Sequence, residues 1–406
     1  MIDTMKKQEI RDLALFGGAP AFDSIRSTSN LVTPDIEKFL GYVRPVYEHG
    51  KFADNGQLVH ELERRLADLH QTSFCVASCS GFMALMVAMH VLAISGKTEI
   101  VMPSLTYRRM ADIAAWVGLV PHFCDIDEQS LGVTARTVEP CINSRTALIM
   151  GVHPITNLCD IDGLERLSIQ YNIPLLFDSV EAGWASFHGR MLGSFGKAEV
   201  CSLHASKLLN GFEGGYITTN DRDLADALRT TSRFGFREDG SLSGLGLNAK
   251  LNEVHAAMTL ACLEDLDAQV ERNKARHRAY RHFLATVSGL TVIPYDETER
   301  RGYKNVLVKI NESWPLSREN TLTLLHAEKL LARPYYYPAL HTKSTSYRTV
   351  RSSSLQVTDR MSECLMLLPC GDFVSIEDIS GIADILIFLQ EKGPEVQASF
   401  EEIRET

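Results

Sequence analysis

The 406-residue sequence has no uninterrupted apolar run close to the roughly 18 residues that cross a membrane. No apolar run of signal-peptide length follows its first lysines. A basic stripe is also missing, because acidic and basic side chains are interspersed and the formal net charge is −10. We therefore expect a cytoplasmic protein without a membrane or nucleic-acid partner.

The nine cysteines occur singly, and no two of them form a CxxC pair. This pattern favours reduced, buried thiols over a disulfide framework or a zinc site, so we expect no metal centre. A GxGxxG motif after the first strand is absent as well. Its absence argues against an oxidoreductase that binds a dinucleotide.

The composition is that of an average globular protein, with 45% hydrophobic and 23% charged residues. The length predicts two domains, and we place a large domain with an N-terminal arm at residues 1–274 and a smaller C-terminal α+β domain at residues 275–406. Between residues 57 and 270, short apolar runs alternate with amphipathic helical patterns. This alternation is typical of an α/β fold with a mostly parallel, seven-stranded sheet flanked by helices.

The region after residue 250 has a different pattern. A helical pattern with breaks covers residues 251–287 and is expected to link the domains. The segments TVIPYD and KNVLVKIN then alternate like antiparallel strands. The charged tail after Gly393 is expected to fray.

Two polar residues follow apolar strands. Asp178 closes the apolar run of LLFDSVEAG, and Lys207 follows another such run in VCSLHASKLLNGFEGG. Because ligands of open α/β sheets bind at the carboxyl ends of strands, these side chains can converge on one cofactor. Pyridoxal 5'-phosphate needs such a pair, a lysine for a Schiff base and a carboxylate for the pyridine nitrogen. Each residue alone has an ordinary alternative, as a helix cap or a solvated surface charge.

Other positions suit the same cofactor. Ser80 and Gly81 in VASCSGFMAL form a turn that opens a helix, where backbone N–H groups can hold a phosphate, and Ser202 offers a second hydroxyl. Tyr107 in MPSLTYRRM follows another strand, where its ring can stack on a pyridine. An ordinary turn and a packed surface tyrosine remain the alternatives.

Together, several segments resemble the DegT/DnrJ/EryC1/StrS family, the sugar aminotransferase branch of fold type I pyridoxal-phosphate enzymes. The resemblance covers nearly the whole chain and includes CSGFMALMVAM, IVMPSLTY, PLLFDSVEAG, HASKLLNGFEGG and GLNAKLNEVHAAM. HASKLLNGFEGG is the most specific segment and is similar to the subgroup that acts on nucleotide-linked 4-keto sugars.

The resemblance implies a role for each candidate residue. Lys207 would be the Schiff-base lysine and general base, Asp178 the partner of the pyridine nitrogen, and Tyr107 the stacking ring. The remaining implied cofactor contacts are Gly81, Phe82 and Ser202 at the phosphate, Glu181 near the phenolic oxygen, and Asn248 from the neighbouring subunit. The protein would therefore be a homodimer with composite active sites.

Three features depart from the family's pattern. Phe82 stands where a threonine is usual, so a hydroxyl to the phosphate is lost. Glu181 stands where histidine or glutamine is usual, and its carboxylate would repel the cofactor's phenolate unless one of them holds a proton. HPITNLCDID replaces the usual histidine, aromatic, glycine pattern on the substrate side.

The substrate contacts implied by the resemblance are Glu213, Tyr337 and His341, although aromatic clusters also serve in packing. The predicted activity is amino transfer, from glutamate as donor, to a keto substrate that is a nucleotide-linked sugar. One alternative is an enzyme of the same fold and cofactor that acts on a non-sugar substrate, as an aminotransferase, a lyase or a carbon-bond-forming enzyme. A regulatory protein is a further alternative, against which the intact Lys207 argues.

Overall fold

The structure is a computed structural model that describes residues 7–28, 32, 34–53, 56–237 and 239–405. In chain order, its strands are β1 (Arg26–Ser27), β2 (Phe74–Ser78), β3 (Glu99–Pro103), β4 (Val120–Cys124), β5 (Thr146–Val152), β6 (Leu175–Asp178), β7 (Ser186–Phe187), β8 (Arg190–Met191), β9 (Ala198–Ser202), β10 (Gly215–Thr219), β11 (Leu290–Val292), β12 (Val306–Ile310), β13 (Leu330–Leu331), β14 (Arg333–Pro334), β15 (Val350–Arg351) and β16 (Leu365–Leu368).

The α-helices are α1 (Ile36–His49), α2 (Gln57–His70), α3 (Gly81–Leu92), α4 (Met110–Trp116), α5 (Ala135–Val138), α6 (Ile161–Tyr171), α7 (Arg222–Ser232), α8 (Glu253–Glu264), α9 (Leu266–Phe283), α10 (Arg318–Ala327), α11 (Gln356–Cys364) and α12 (Ile376–Glu405). Short 3₁₀-helices cover Ile10–Asp12, Ala14–Phe16, Glu139–Cys141 and Leu340–Thr342.

The central sheet has eight strands in the order β15, β4, β3, β5, β6, β9, β10, β2. Every neighbouring pair is parallel except those of β10, which runs antiparallel to β9 and β2. The predicted α/β class and mostly parallel sheet are thus confirmed, and seven of the strands lie between residues 74 and 219. The sequence-based count missed β15, because two residues are too few to show a periodic pattern.

The strands in the middle of this sheet are apolar because both faces are covered. β3, β5 and β6 are buried along their whole length, and alternate residues contribute to two different hydrophobic cores. Since parallel strands end at the same edge, the residues that follow β3, β5, β6 and β9 lie near one another. The antiparallel β10 begins at this edge, where Gly215 pairs with Ser202 and Ser78.

A second sheet is built from the C-terminal part of the chain. Its strands are antiparallel in the order β11, β12, β16, β14, as the patterns of TVIPYD and KNVLVKIN predicted. The N-terminal segment joins this part, because Leu13 and Phe22 lie in the same hydrophobic core as Val306 and Leu368. The boundary between residues 274 and 275 stays a prediction.

The helical pattern over residues 251–287 forms α8 and α9, which meet at Asp265. The predicted fraying after Gly393 is wrong, because α12 continues to Glu405 and buries Val396 and Phe400. Within the described ranges, no helix combines the length and apolar character that a membrane crossing requires.

Candidate active site

A cavity of about 400 Å³ opens at the edge of the central sheet where the parallel strands end. It is lined by nine of the residues predicted from the sequence, namely Ser80, Gly81, Phe82, Tyr107, Asp178, Glu181, Ser202, Lys207 and Glu213. Among the lining residues, Lys207 is the only lysine. The chain therefore brings one amine and three carboxyl groups, those of Asp178, Glu181 and Glu213, to a single concave site.

The start of α3 forms one wall of the cavity. Ser80 caps the helix, with its hydroxyl oxygen accepting a hydrogen bond from the Met83 N–H at 3.1 Å. A Cβ atom on Gly81 would lie 2.8 Å from the Cβ of Ser202, and one on Gly215 would lie 2.6 Å from the Gly81 nitrogen. Only glycines allow this approach, and it places a hydroxyl beside the unpaired N–H groups of a helix start, an arrangement suited to an anion.

Glu181 is the centre of an ion-pair network beside the cavity. Lys207 Nζ donates to its Oε1, while Lys304 Nζ donates to Oε2 at 2.9 Å and Asn305 Nδ2 to the same oxygen at 3.1 Å. Burial would raise the pKa of Glu181, but the charges of Lys207 and Lys304 outweigh it and hold that pKa well below its usual range. Glu181 is therefore ionised, and both of its oxygens have partners.

Sequence reasoning missed Lys304 and Asn305. They directly precede β12, which belongs to the second sheet, so the rule that ligands bind at the carboxyl ends of parallel strands could not find them. The only signal is a polar pair, Lys-Asn, in front of the apolar run VLV. Lys304 is buried, and this burial lowers the pKa of its amine, an effect that Glu181 opposes.

Asp178 ends β6 and is almost fully buried. Its Oδ1 accepts a hydrogen bond from the Val180 N–H at 3.0 Å. Burial raises the pKa of Asp178 to about 6, although the Val180 N–H and the charge of Lys207 oppose this rise. A cation that enters the cavity would therefore lower the pKa of Asp178 and favour its ionised form.

His153 follows β5 and also lines the cavity. Its ring stacks on Phe177 with centroids 5.1 Å apart, and its Nε2 has no hydrogen-bond partner among the described residues. Burial lowers the pKa of His153 to about 3, so the imidazole is neutral. Three residues later, Thr156 has φ +79°, a backbone conformation that is uncommon for residues other than glycine.

Neither of the two substrate candidates after β14, Tyr337 and His341, lines this cavity, and their role as substrate contacts stays a prediction. The ring of Tyr337 lies under the Arg318 guanidinium at 4.3 Å and does not line the cavity. The side chain of His341 is buried, with Nδ1 2.7 Å from Ser104 Oγ and Nε2 3.0 Å from an Asp359 oxygen. Tyr336 lines the cavity instead. Three successive tyrosines give no periodicity that indicates which of them faces the site.

Asn248 does not line the cavity of this single chain. It is exposed, while the carbonyl of the following Ala249 accepts a hydrogen bond from the Cys79 N–H at 2.8 Å. The segment therefore runs beside the start of α3, and the side chain of Asn248 is exposed there.

Residues 34–387 match the DegT/DnrJ/EryC1/StrS aminotransferase family. The chain belongs to this family. It is similar to the crystal structure of DesI in the presence of its TDP-sugar product, with 32% identity and a TM-score of 0.92 over 97% of this chain and 100% of that one. This similarity confirms the predicted fold type I architecture.

Two curated relatives also match the aminotransferase. It is 27% identical to the dTDP-4-amino-4,6-dideoxy-D-glucose transaminase of Shigella dysenteriae, over 76% of this chain and 83% of the relative. It is 33% identical to the L-glutamine:2-deoxy-scyllo-inosose aminotransferase of Micromonospora echinospora, over 65% of this chain and 66% of the relative. Amino transfer is thus shared by relatives whose names give different acceptors.

The raised pKa of Asp178 predicts a pH-dependent stability for the cofactor-free protein. Its carboxyl group binds a proton more tightly in the folded state than in the unfolded state, so ionising it costs stability as the pH rises from about 4 to about 6. Asp178→Asn should therefore stabilise the cofactor-free protein above pH ~6 by up to roughly 3 kcal/mol, and by almost nothing below pH ~4. Thermal unfolding midpoints across this pH range measure the difference.

Asp226→Asn, on the exposed face of α7, is the matched control and should show no such pH-dependent gain. Parallel midpoint curves for wild type and Asp178→Asn would show that Asp178 is not held in a raised-pKa state.

Proposed function

We propose that the protein is a pyridoxal-phosphate-dependent aminotransferase that moves an amino group from glutamate to the keto group of a nucleotide-linked sugar. The observation that carries this proposal is the convergence of the Lys207 amine and the buried Asp178 carboxyl group on one cavity. Membership of the aminotransferase family supports amino transfer as the reaction. The cavity contains the amine and the carboxyl group that pyridoxal phosphate requires.

The residues present fit this cofactor. Lys207 is the only lining amine and would hold the aldehyde carbon, while Asp178 would face the ring nitrogen. The close approach of Gly81, Ser202 and Gly215 forms a cradle suited to the phosphate. Tyr107 is 45% exposed at the mouth of the cavity, where its ring is free to cover the cofactor.

When bound, pyridoxal phosphate supplies an aldehyde that condenses with amines and a ring that accepts electrons from the substrate. Lys207 would first act as the covalent anchor and, once an amino donor has displaced it, carry a proton on its free Nζ. Asp178 would be ionised by a cationic ring nitrogen and in turn keep that nitrogen protonated. Glu181 would direct the Lys207 amine through the hydrogen bond that it already accepts from it.

A nucleotide-linked keto sugar is supported as the acceptor by the TDP-sugar product of DesI and by the dTDP-sugar named for the Shigella relative. A second candidate is a keto acceptor that carries no nucleotide, with L-glutamine as donor. The 33% identity to the inosose aminotransferase and the altered segment around Thr156 favour this alternative.

The activity is tested with ¹⁵N-labelled donors. Protein loaded with pyridoxal phosphate should transfer ¹⁵N from glutamate to a nucleotide-linked 4-keto sugar, and mass spectrometry should detect the heavy amino sugar. Parallel reactions with 2-deoxy-scyllo-inosose and labelled L-glutamine test the alternative acceptor. Lys207→Ala is the negative control. If no acceptor becomes labelled although glutamate loses its amino group, the acceptor assignment is wrong and amino transfer stands.

Borohydride mapping tests the anchor. Reduction of the loaded protein should fix the cofactor on the peptide that contains Lys207, because this is the only lysine that lines the cavity. Lys304 provides an internal control, since its amine pairs with the far oxygen of Glu181 and lies outside this cavity. Label on the Lys304 peptide, or bound cofactor with an unlabelled Lys207, would refute the assignment.

We propose further that a second copy of the chain completes each site through Asn248. Near Asn248 in the sequence, four large apolar side chains are exposed, namely Phe234, Phe236, Leu242 and Leu245. Exposed apolar groups of this kind are typical of a surface that another protein covers. A second copy would bury them and bring Asn248 to the neighbouring phosphate cradle.

Subunit complementation tests the composite site. Asn248→Ala should weaken pyridoxal-phosphate binding, and Lys207→Ala should abolish transfer. In a co-expressed hybrid, the intact Lys207 of one subunit meets the intact Asn248 of the other, so half of the sites should regain wild-type affinity and activity. Differently tagged subunits allow the hybrid to be isolated. A hybrid no more active than Asn248→Ala alone would place Asn248 in its own subunit's site.

A further inference from the structure

Lys304, the second lysine that pairs with Glu181, has no role in the amino transfer proposed above. Lys304 is 7% exposed, and its Nζ donates to Glu181 Oε2 at 2.9 Å, supported by Asn305 at 3.1 Å on the same oxygen. Glu181 follows β6, Lys207 follows β9 and Lys304 precedes β12. Three distant segments of the chain therefore meet at one carboxylate.

The charged and titratable groups near Glu181 come from several elements packed against it. Two ammonium groups, Lys207 and Lys304, face one carboxylate, and Asp178 lies close enough to act on it electrostatically. The other titratable groups that interact with Glu181 are the phenols of Tyr295, Tyr335 and Tyr336 and the thiol of Cys370, and burial raises the pKa of each, so all four are neutral. The Glu181 and Lys304 pair is thus electrically neutral when Lys207 is taken away.

Under the proposed function, on which this inference rests, Lys207 no longer pairs with Glu181 whenever its amine is covalently bound to the cofactor. A buried carboxylate that loses its only cation becomes costly and takes up a proton. With Lys304 present, Glu181 keeps a cation throughout and stays ionised. The carboxylate then remains a fixed acceptor for the Lys207 amine.

We infer that Lys304 is a positioning residue for Lys207: it is the permanent counter-ion of Glu181, and it weakens the hold of Glu181 on the Lys207 ammonium so that the amine is free to react. This division of charge explains how a glutamate can occupy the position where the family usually has a neutral histidine or glutamine. The pair presents no net charge to the phenolic oxygen of the cofactor, as a neutral residue would.

A purely structural lysine would behave differently. Lys304 also joins the two sheets, because it precedes β12 of the second sheet while its Nζ binds Glu181, which follows β6 of the central sheet. If that were its whole role, its replacement would lower stability and leave the chemistry of Lys207 unchanged. The test therefore has to measure the reactivity of Lys207 itself.

The experiment labels cofactor-free protein with acetic anhydride over a range of pH and quantifies the Lys207 peptide by mass spectrometry. In Lys304→Met, Glu181 pairs with Lys207 alone and stabilises its ammonium, so labelling at a given pH should slow by about tenfold. Lys304→Arg keeps the charge and should label within about twofold of wild type. Glu181→Gln with Lys304→Met removes both partners and should restore labelling, which completes a double-mutant cycle.

A second readout uses the cofactor. The rate at which borohydride traps pyridoxal phosphate on Lys207 should fall in Lys304→Met and recover in Lys304→Arg. If Lys304→Met lowers the thermal midpoint but leaves both Lys207 rates at the wild-type value, the inference is overturned. If Lys304→Met does not fold, Glu181→Gln alone decides, because it must accelerate labelling of Lys207, and an unchanged rate overturns the inference.

The two proposals fail separately. Labelling of cofactor-free protein reports on the coupling of Lys304 to Lys207 whether or not pyridoxal phosphate binds. A chain in which that coupling is measured but no cofactor is trapped would refute the proposed function and leave the coupling standing.

Discussion

A carboxylate that is withdrawn from water is stable only when cations and hydrogen-bond donors satisfy both of its oxygens. Glu181 meets this condition with Lys207 on one oxygen and with Lys304 and Asn305 on the other. Because Lys304 and Asn305 come from the C-terminal sheet, the network exists only when that sheet is packed against the central one. The geometry of the cavity and the arrangement of the two sheets therefore depend on the same ion pairs.

Several residues at the site are held in states that favour function over stability. Asp178 is a buried carboxyl group with a raised pKa, and His153 keeps an unpaired ring nitrogen. Thr156 adopts a backbone conformation that a branched side chain disfavours. Departures from local rules concentrate at functional sites because the surrounding core supplies the stability that they cost. Here that core consists of the apolar strands and helices on both faces of the central sheet.

The residues that we propose to hold the cofactor and the lining residue from the C-terminal part of the chain are positioned by different kinds of structure. Gly81, Asp178, Ser202 and Lys207 stand at or just beyond element ends of the central sheet, whose register fixes them. Tyr336 comes from an irregular segment of the C-terminal part and has φ +44°. Positions at strand ends can therefore be inferred from a sequence pattern, whereas positions in irregular loops cannot.

The sequence by itself determined the α/β class, the mostly parallel sheet and the convergence of Asp178 with Lys207. It could do so because apolar runs locate the strands, and parallel strands bring their carboxyl ends to one edge. Only the tertiary structure decided that Lys304 and Asn305 complete Glu181, that Tyr336 faces the cavity while Tyr337 packs under Arg318, and that β15 extends the sheet. These contacts join residues far apart in the chain, and no local periodicity records which distant side chains will pack together.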